Sequence, residues 1–263
     1  VYLLALDIGN TNVTAGLFEG ARLISQFRVR TETARTPDEY ASLLASLISL
    51  RVDPAAFAAI DAVAIASVVP AVTATIERAC REYIGVAPLI VSAATTETGL
   101  TIAYEPPASL GADRLVNAYA AYTQYAGSGR GCIVVDYGTA TKLEVVSATG
   151  VYRGGVILPG VGISLDALFS RGAQLRQIPL TPIPASAIGG TTADALRAGI
   201  LFGYAAQTDG LVARFRREMP EKEVCVIATG GLAELIAPHA ACIDRMDLNL
   251  TVTGLRLLHK RNA

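Results

Sequence analysis

Two short strings carry the residue types that phosphate chemistry requires: Asp7-Ile8-Gly9-Asn10-Thr11-Asn12 and Asp136-Tyr137-Gly138-Thr139-Ala140-Thr141. In each, an apolar run delivers a carboxylate, a glycine follows two residues later, and amide or hydroxyl side chains fill the turn. The carboxylate suits Mg²⁺, a hard cation that takes oxygen ligands, and the glycine lets backbone N–H groups approach phosphate oxygens closely. The plainer account of the first string alone is an ordinary hairpin with Asn and Gly in its turn. The strings lie about half the chain apart, and repetition of one device favours phosphate over two unrelated hairpins. A third string, Ile227-Ala228-Thr229-Gly230-Gly231-Leu232, lets a planar base lie against backbone, or is simply a tight strand-to-helix turn. A fourth, Leu110-Gly111-Ala112-Asp113-Arg114, opens a helix whose apolar face includes Leu115, Tyr119 and Tyr122. Asp113 is stabilised as an anion near that helix N-terminus. Asp113 and Arg114 read either as a general base beside an anion-binding arginine or as a helix cap with an exposed, weak ion pair.

The elements that must position these strings follow from hydrophobic spacing. Val1 to Leu6, Val13 to Phe18 and Leu23 to Val29 read as an antiparallel meander. Thr36-Pro37-Asp38-Glu39 is a helix start with a capping box, followed by Tyr40, Leu43, Leu44, Leu47 and Ile48 at helical spacing. A strand over 62–66, a helix through Val72, Ile76 and Cys80, and a strand over 89–91 come next. The second half restarts the pattern: strands at 132–135, 143–146, 151–158 and 225–228, helices at about 160–172 and 192–218, and a last helix over 248–260. Alternating strands and helices predict an α/β core with a partly parallel sheet. The repeated strings predict an internal duplication, with domains at 1–115 and 116–263 around an interdomain cleft.

With 263 residues, 52% apolar and 17% charged, the chain can bury a large core. Its net charge of −1 offers no field for a polyanion, so nucleic acid is not an expected partner. Cys80, Cys132, Cys225 and Cys242 form no CxxC pair, and His239 and His259 are the only histidines, so structural zinc is not expected. Four reduced cysteines fit a cytoplasmic setting. Asp7 interrupts the first apolar run, and no run reaches membrane-spanning length, so neither a signal peptide nor a membrane partner is expected. In the 192–219 helix, Gly199, Gly203 and Gly210 permit close backbone approach, either within one subunit or across a twofold axis.

The four strings, together with Gly154-Gly155-Val156-Ile157-Leu158-Pro159-Gly160, resemble in order and spacing the type III pantothenate kinase family. That resemblance implies duplicated actin-like (ribonuclease H-like) domains and a homodimer. It implies phosphorylation of pantothenate by ATP with Mg²⁺ and K⁺ or NH₄⁺. By resemblance, Asp7, Ile8, Gly9, Asn10, Thr11, Asn12, Val13, Thr14 and Thr139 bind ATP, with Asp7 serving Mg²⁺. Tyr104, Gly111, Ala112, Asp113, Arg114 and Thr192 line the pantothenate site, with Asp113 as the catalytic base, and Asp136 binds the monovalent cation.

The chain departs from the family pattern at several places. Lys142 follows Thr141 where threonine is usual, and Glu144 stands where aspartate is usual. Glu105-Pro106-Pro107 replaces Asp-Asn-Pro, and Gly190-Thr191 precedes Thr192 in place of Arg-Asn. The Lys142 ammonium can stand in for the monovalent cation, or point to solvent, or pair with Glu144. These departures leave open a divergent, non-catalytic or regulatory homologue that binds nucleotide or pantothenate, and a kinase of the same superfold acting on a sugar or carboxylate.

Overall fold

The computed structural model describes residues 2–126, 129–171 and 178–263. Val1, expected to open the first strand, and residue 172, the expected end of the helix starting near 160, lie outside the described residues. The chain forms two compact units, Val1–Ala120 with Asn249–Ala263, and Ala121–Leu248.

In the first unit, β1 (Tyr2–Ile8), β2 (Asn12–Glu19) and β3 (Arg22–Arg30) form the antiparallel meander. Then come α1 (Pro37–Arg51), β4 (Ile60–Ser67), α2 (Pro70–Ala79) and β5 (Leu89–Ile90). The sheet runs β3-β2-β1-β4-β5, with β4 parallel to β1 and β5 parallel to β4. The capping box forms as read: Glu39 N donates to Thr36 Oγ1 at 3.3 Å, and Thr36 N donates to Glu39 Oε2 at 2.7 Å. Such a cap contributes about 1 kcal/mol. Strand alternation sends Leu4, Leu6 and Ile8 into one cluster with Tyr40, Leu44 and Ile48 of α1 and Val72 and Ile76 of α2.

After a two-residue strand, β6 (Thr101–Ile102), α3 (Ala112–Tyr125) carries the chain to the point where the units divide. The second unit holds β7 (Gly131–Tyr137), β8 (Ala140–Val146), β9 (Val151–Pro159), α4 (Val161–Arg171), α5 (Thr192–Glu218), β10 (Val224–Thr229), α6 (Ala233–Ile236) and β11 (Arg245–Met246). Its strands run β9-β8-β7-β10-β11, with the same directions as their counterparts in the first unit. The core packs Ile133, Val135, Tyr137, Leu143 and Val145 against Leu201, Tyr204, Ala205 and Val212 of α5.

The division differs from the expected 115/116 boundary in one important respect. The last helix, α7 (Leu250–Asn262), belongs to the first unit, where it packs against β1, β2 and β4. The reason is steric as well as apolar. A Cβ at Gly16 of β2 would come within 3.0 Å of Val252 Cβ, and one at Gly254 within 2.7 Å of Val116 Cγ1. Small residues on both partners let the backbones close up and bury Leu250, Val252, Leu255 and Leu258.

Among the three glycines of α5, a Cβ at Gly199, Gly203 or Gly210 would meet no atom within 4 Å. Close packing within the subunit, one of the two readings of their spacing, is therefore not what they serve among the described residues. No helix among the described residues is long and apolar enough to cross a membrane.

Candidate active site

The Asp7 string forms the β1–β2 hairpin. Asp7 ends β1, half-buried, opposite Thr14 on β2. Gly9 N donates to Asn12 O at 2.9 Å, and a Cβ at Gly9 would come within 3.2 Å of that same oxygen. Asn10 and Thr11 stand exposed at the tip. The tip is held from β3's end: Thr31 Oγ1 donates to Gly9 O at 2.6 Å, and Thr31 N donates to Thr11 O at 3.0 Å. Ile8 and Val13 differ from the rest of the string, because their side chains belong to the apolar core. Only their backbone groups can meet a ligand. The remaining donors are hard oxygens and amides around one carboxylate, a set that fits Mg²⁺ shared with phosphate oxygens.

The Gly111-Ala112-Asp113-Arg114 string opens α3 in the same unit. Asp113 Oδ1 folds back over Gly111, where a Cβ would come within 2.7 Å of it. Arg114 is buried, its Nη1 donates to Tyr104 Oη at 3.2 Å, and its guanidinium carbon lies 5.2 Å from the Tyr104 ring centroid. Tyr104, Gly111, Asp113 and Arg114 are thus brought together as a group. Val68 ties this group to the first hairpin: its N–H donates to Ile8 O at 3.1 Å, and its Cγ1 would lie 3.7 Å from a Cβ on Gly111. The Asp7 turn and the Asp113 helix start therefore lie together at the C-terminal ends of β1 and β4.

The second unit gathers its own three strings. Asp136 ends β7 and Gly138 N donates to Ala140 O at 3.2 Å. Gly230, with φ +97°, lies against this turn, where a Cβ would come within 2.5 Å of Asp136 Oδ1. Leu232 N donates to Tyr137 O at 3.2 Å. Gly160 packs on the Thr139 and Gly138 carbonyls so closely that no side chain fits. Thr139 is exposed at the tip. Tyr137 anchors the turn from behind. Its hydroxyl shares a 2.8 Å hydrogen bond with Thr208 Oγ1, which donates to Tyr204 O at 2.9 Å, and burial pushes its phenol up to about 12. This anchor carries no local sequence signal, since Tyr137 and Thr208 are far apart along the chain.

Lys142 stands opposite Asp136 in the β7–β8 register, and its Nζ lies 2.9 Å from Asp136 Oδ2 with each side chain 15% exposed. Glu144, two residues along β8, is buried and accepts a 2.5 Å hydrogen bond from Tyr152 Oη. The cation facing Asp136 is thus covalently part of the chain, and a free monovalent ion on the same oxygen would meet its repulsion. Thr192 opens α5 in the second unit, exposed, behind a Thr191 cap that accepts from Asp194 N at 3.1 Å. Among the described residues, no group of three or more His, Cys, Asp or Glu side chains is arranged to hold a metal by itself. A hard cation here would need oxygens from its ligand as well.

Solved structures with the same fold include a ROK hexokinase from Thermus thermophilus (TM-score 0.54, 16% identity, 100% of both chains). The EutJ ethanolamine utilization protein of Carboxydothermus hydrogenoformans is another (TM-score 0.56, 12% identity, 98% of this chain and 90% of that one). The fold is the α/β superfold of actin-like and ROK-type sugar kinases. In sequence, the chain is 43% identical over 264 residues to the type III pantothenate kinase of Streptomyces avermitilis, covering 99% of this chain and 98% of the relative. It is 45% identical over 258 residues to that of Desulfosudis oleivorans, covering 97% and 98%. The family model described as type III pantothenate kinase matches residues 3–214, a span that holds both acidic hairpins, the start of α3 and most of α5. With that span matched and the relatives covered nearly end to end, the chain belongs to the type III pantothenate kinase family.

Proposed function

We propose that the chain transfers the terminal phosphoryl group of ATP to the hydroxyl of pantothenate, giving 4′-phosphopantothenate, the first committed step of coenzyme A synthesis. The observation that carries this reading is the junction at Val68, which joins the Asp7 turn to the Asp113–Arg114 helix start. Phosphoryl transfer asks for in-line placement and charge neutralisation more than for covalent chemistry. An acid-bearing phosphate turn next to a carboxylate beside a buried arginine meets that demand.

On this reading the backbone of Ile8, Gly9 and Val13 and the side chains of Asn10, Thr11, Asn12 and Thr14 hold the ATP phosphates, and Thr139 contacts them. Asp7 would hold Mg²⁺, which when bound neutralises charge on the transferred group. Tyr104, Gly111, Ala112, Arg114 and Thr192 line the pantothenate site, where the Arg114 fork suits a carboxylate. Asp113 orients the attacking hydroxyl and takes its proton late, as that oxygen becomes acidic in the transition state. Lys142 supplies the positive charge that K⁺ or NH₄⁺ would bring to Asp136, so turnover should not need a monovalent cation. The test of the whole reading is Asp113→Asn assayed with ATP and pantothenate. Turnover should fall by about two orders of magnitude or more, and a near-normal rate would remove Asp113 from this role.

The matching strand orders of the two units support duplicated actin-like (ribonuclease H-like) domains. The unfilled space beside Gly199, Gly203 and Gly210 supports a homodimer through α5, because glycines cost a helix interior about 1 kcal/mol each and need compensation. Light scattering should give twice the chain mass for the native protein and a monomer for Gly203→Leu. A native monomer would end the dimer proposal. The unpaired thiols of all four cysteines and the use of ATP support a cytoplasmic setting.

A further inference from the structure

One cavity of the second unit lies away from its acidic turn. It has a volume of about 780 Å³ and lies at the other end of the β7–β10 pair, beside Val224 and Cys225 and the end of α3. Gly131 and Val224 pair at this end of the two strands, while Asp136 and Thr229 pair at the far end. Five residues of strand separate the two ends, roughly 17 Å at the usual rise. The cavity is therefore distinct from the turns gathered around Asp136.

Its walls are unusual for a chain of net charge −1. Arg130, Arg216, Lys222 and Arg245 line it, against two acids, Glu223 and Asp244. Asp244 is committed to the fold, accepting from Val226 N at 2.8 Å. None of the four cations forms an ion pair with a carboxylate among the described residues. The one hydrogen bond that holds any of them is from Arg130 Nη2 to Tyr125 O at 3.2 Å, which steadies the guanidinium without neutralising it. Four side chains from three separate stretches of the second unit thus bring like charges to one concavity. The four side chains are exposed, so water screens their mutual repulsion, and an anion in the concavity would gain from all four.

We propose that this cavity binds a small molecule carrying two or more phosphate groups. Three guanidinium forks present planar paired donors, the geometry that phosphate oxygens match, and the lysine adds a mobile point charge. A single phosphate would leave most of the volume empty, whereas a cavity of this size suits a ligand of drug-like dimensions. The half-buried Tyr125 offers one ring wall, its hydroxyl held by Asp247 Oδ2 at 2.8 Å. This site stands independently of the kinase reading, since none of its residues belongs to the machinery assigned above.

Calorimetric titration of the full chain with inorganic pyrophosphate tests the proposal, beside a parallel titration with citrate. The wild type should bind pyrophosphate at least about tenfold more tightly than citrate. The charge reversal Arg130→Glu/Arg245→Glu should weaken the pyrophosphate component by about tenfold or more while the far-ultraviolet circular dichroism stays unchanged. Arg216→Gln/Lys222→Gln, which alters the opposite wall without reversing charge, should weaken it by a smaller factor and guards against misfolding of the first variant. Superimposable isotherms for the wild type and both variants would place any bound pyrophosphate elsewhere and overturn the assignment. Equal affinity for citrate would overturn its phosphate class.

Discussion

The β1–β2 and β7–β8 hairpins end a strand on an acid, turn at a glycine and return antiparallel, but they differ in what faces the acid. Across from Asp7 stands the hydroxyl of Thr14. Across from Asp136 stands the ammonium of Lys142, 2.9 Å from its carboxylate. The turns differ as well, three residues between β1 and β2 against two between β7 and β8. Two turns of one design have thus reached different electrostatic states. The first sets a neutral hydroxyl opposite its carboxylate. The second carries its own cation and is stiffened from behind by Tyr137 and Thr208.

This contrast is sharpened most by changing the two acids in parallel. Asp7→Asn should lower turnover by about two orders of magnitude or more with little loss of stability, because the hairpin's backbone bonds remain. Asp136→Asn should do the reverse first: it removes the carboxylate 2.9 Å from a mostly buried Lys142 and should cost about 3 kcal/mol in urea unfolding. Equal stability losses in the two variants would erase the distinction drawn between the turns. Next in size is Lys142→Thr, which makes the second hairpin resemble the first. Wild-type turnover should agree within about twofold in Na⁺, K⁺ and NH₄⁺ buffers, whereas the variant should lose about tenfold in Na⁺ and recover in K⁺. A wild-type enzyme that needs K⁺ would break the idea of a built-in cation.

The smallest effect concerns the anchor behind the second turn. Tyr137→Phe removes one buried hydrogen bond and should cost about 1 kcal/mol at neutral pH. The folded chain holds the Tyr137 proton up to about pH 12, chiefly through burial, while the unfolded chain releases it near 10. Its contribution is complete below pH 10 and is lost as pH rises toward 12. Melting temperatures measured from pH 9 to 11.5 should therefore fall less steeply in the phenylalanine variant.

Local chemistry made much of this legible before any coordinates. The Thr36–Glu39 capping box is a four-residue signal, and it forms as written. The meander and the return of its pattern in the second half follow from apolar spacing alone. The site was legible as strings, but which atoms face a ligand was not: Ile8 and Val13 sit within the Asp7 string, and strand alternation turns their side chains to the core. The spacing put Gly155 in a strand, Gly160 at a helix start and Gly230 in a turn, but not why each is glycine: another segment presses on it, Leu143, Thr139 and Tyr137 respectively. Such contacts join residues distant in sequence and leave no periodic trace. The two-residue strands β6 and β11 are too short to show a period at all. Lys142 was legible as a departure, but its pairing with Asp136 depends on the β7–β8 register, which sets the two residues opposite each other.

The position of α7 has a consequence for how the protein is made. Residues made more than two hundred positions later cover the sheet face that β1 and β2 lay down, with Val252 seated on Gly16. While the middle of the nascent chain is being synthesised, the strand bearing the Asp7 turn lacks its cover on that side. Holding such a surface against premature association is a task for a chaperone or for fast elongation. Removing α7 would then strike the sheet that carries the Asp7 turn before it touched the unit synthesised just upstream.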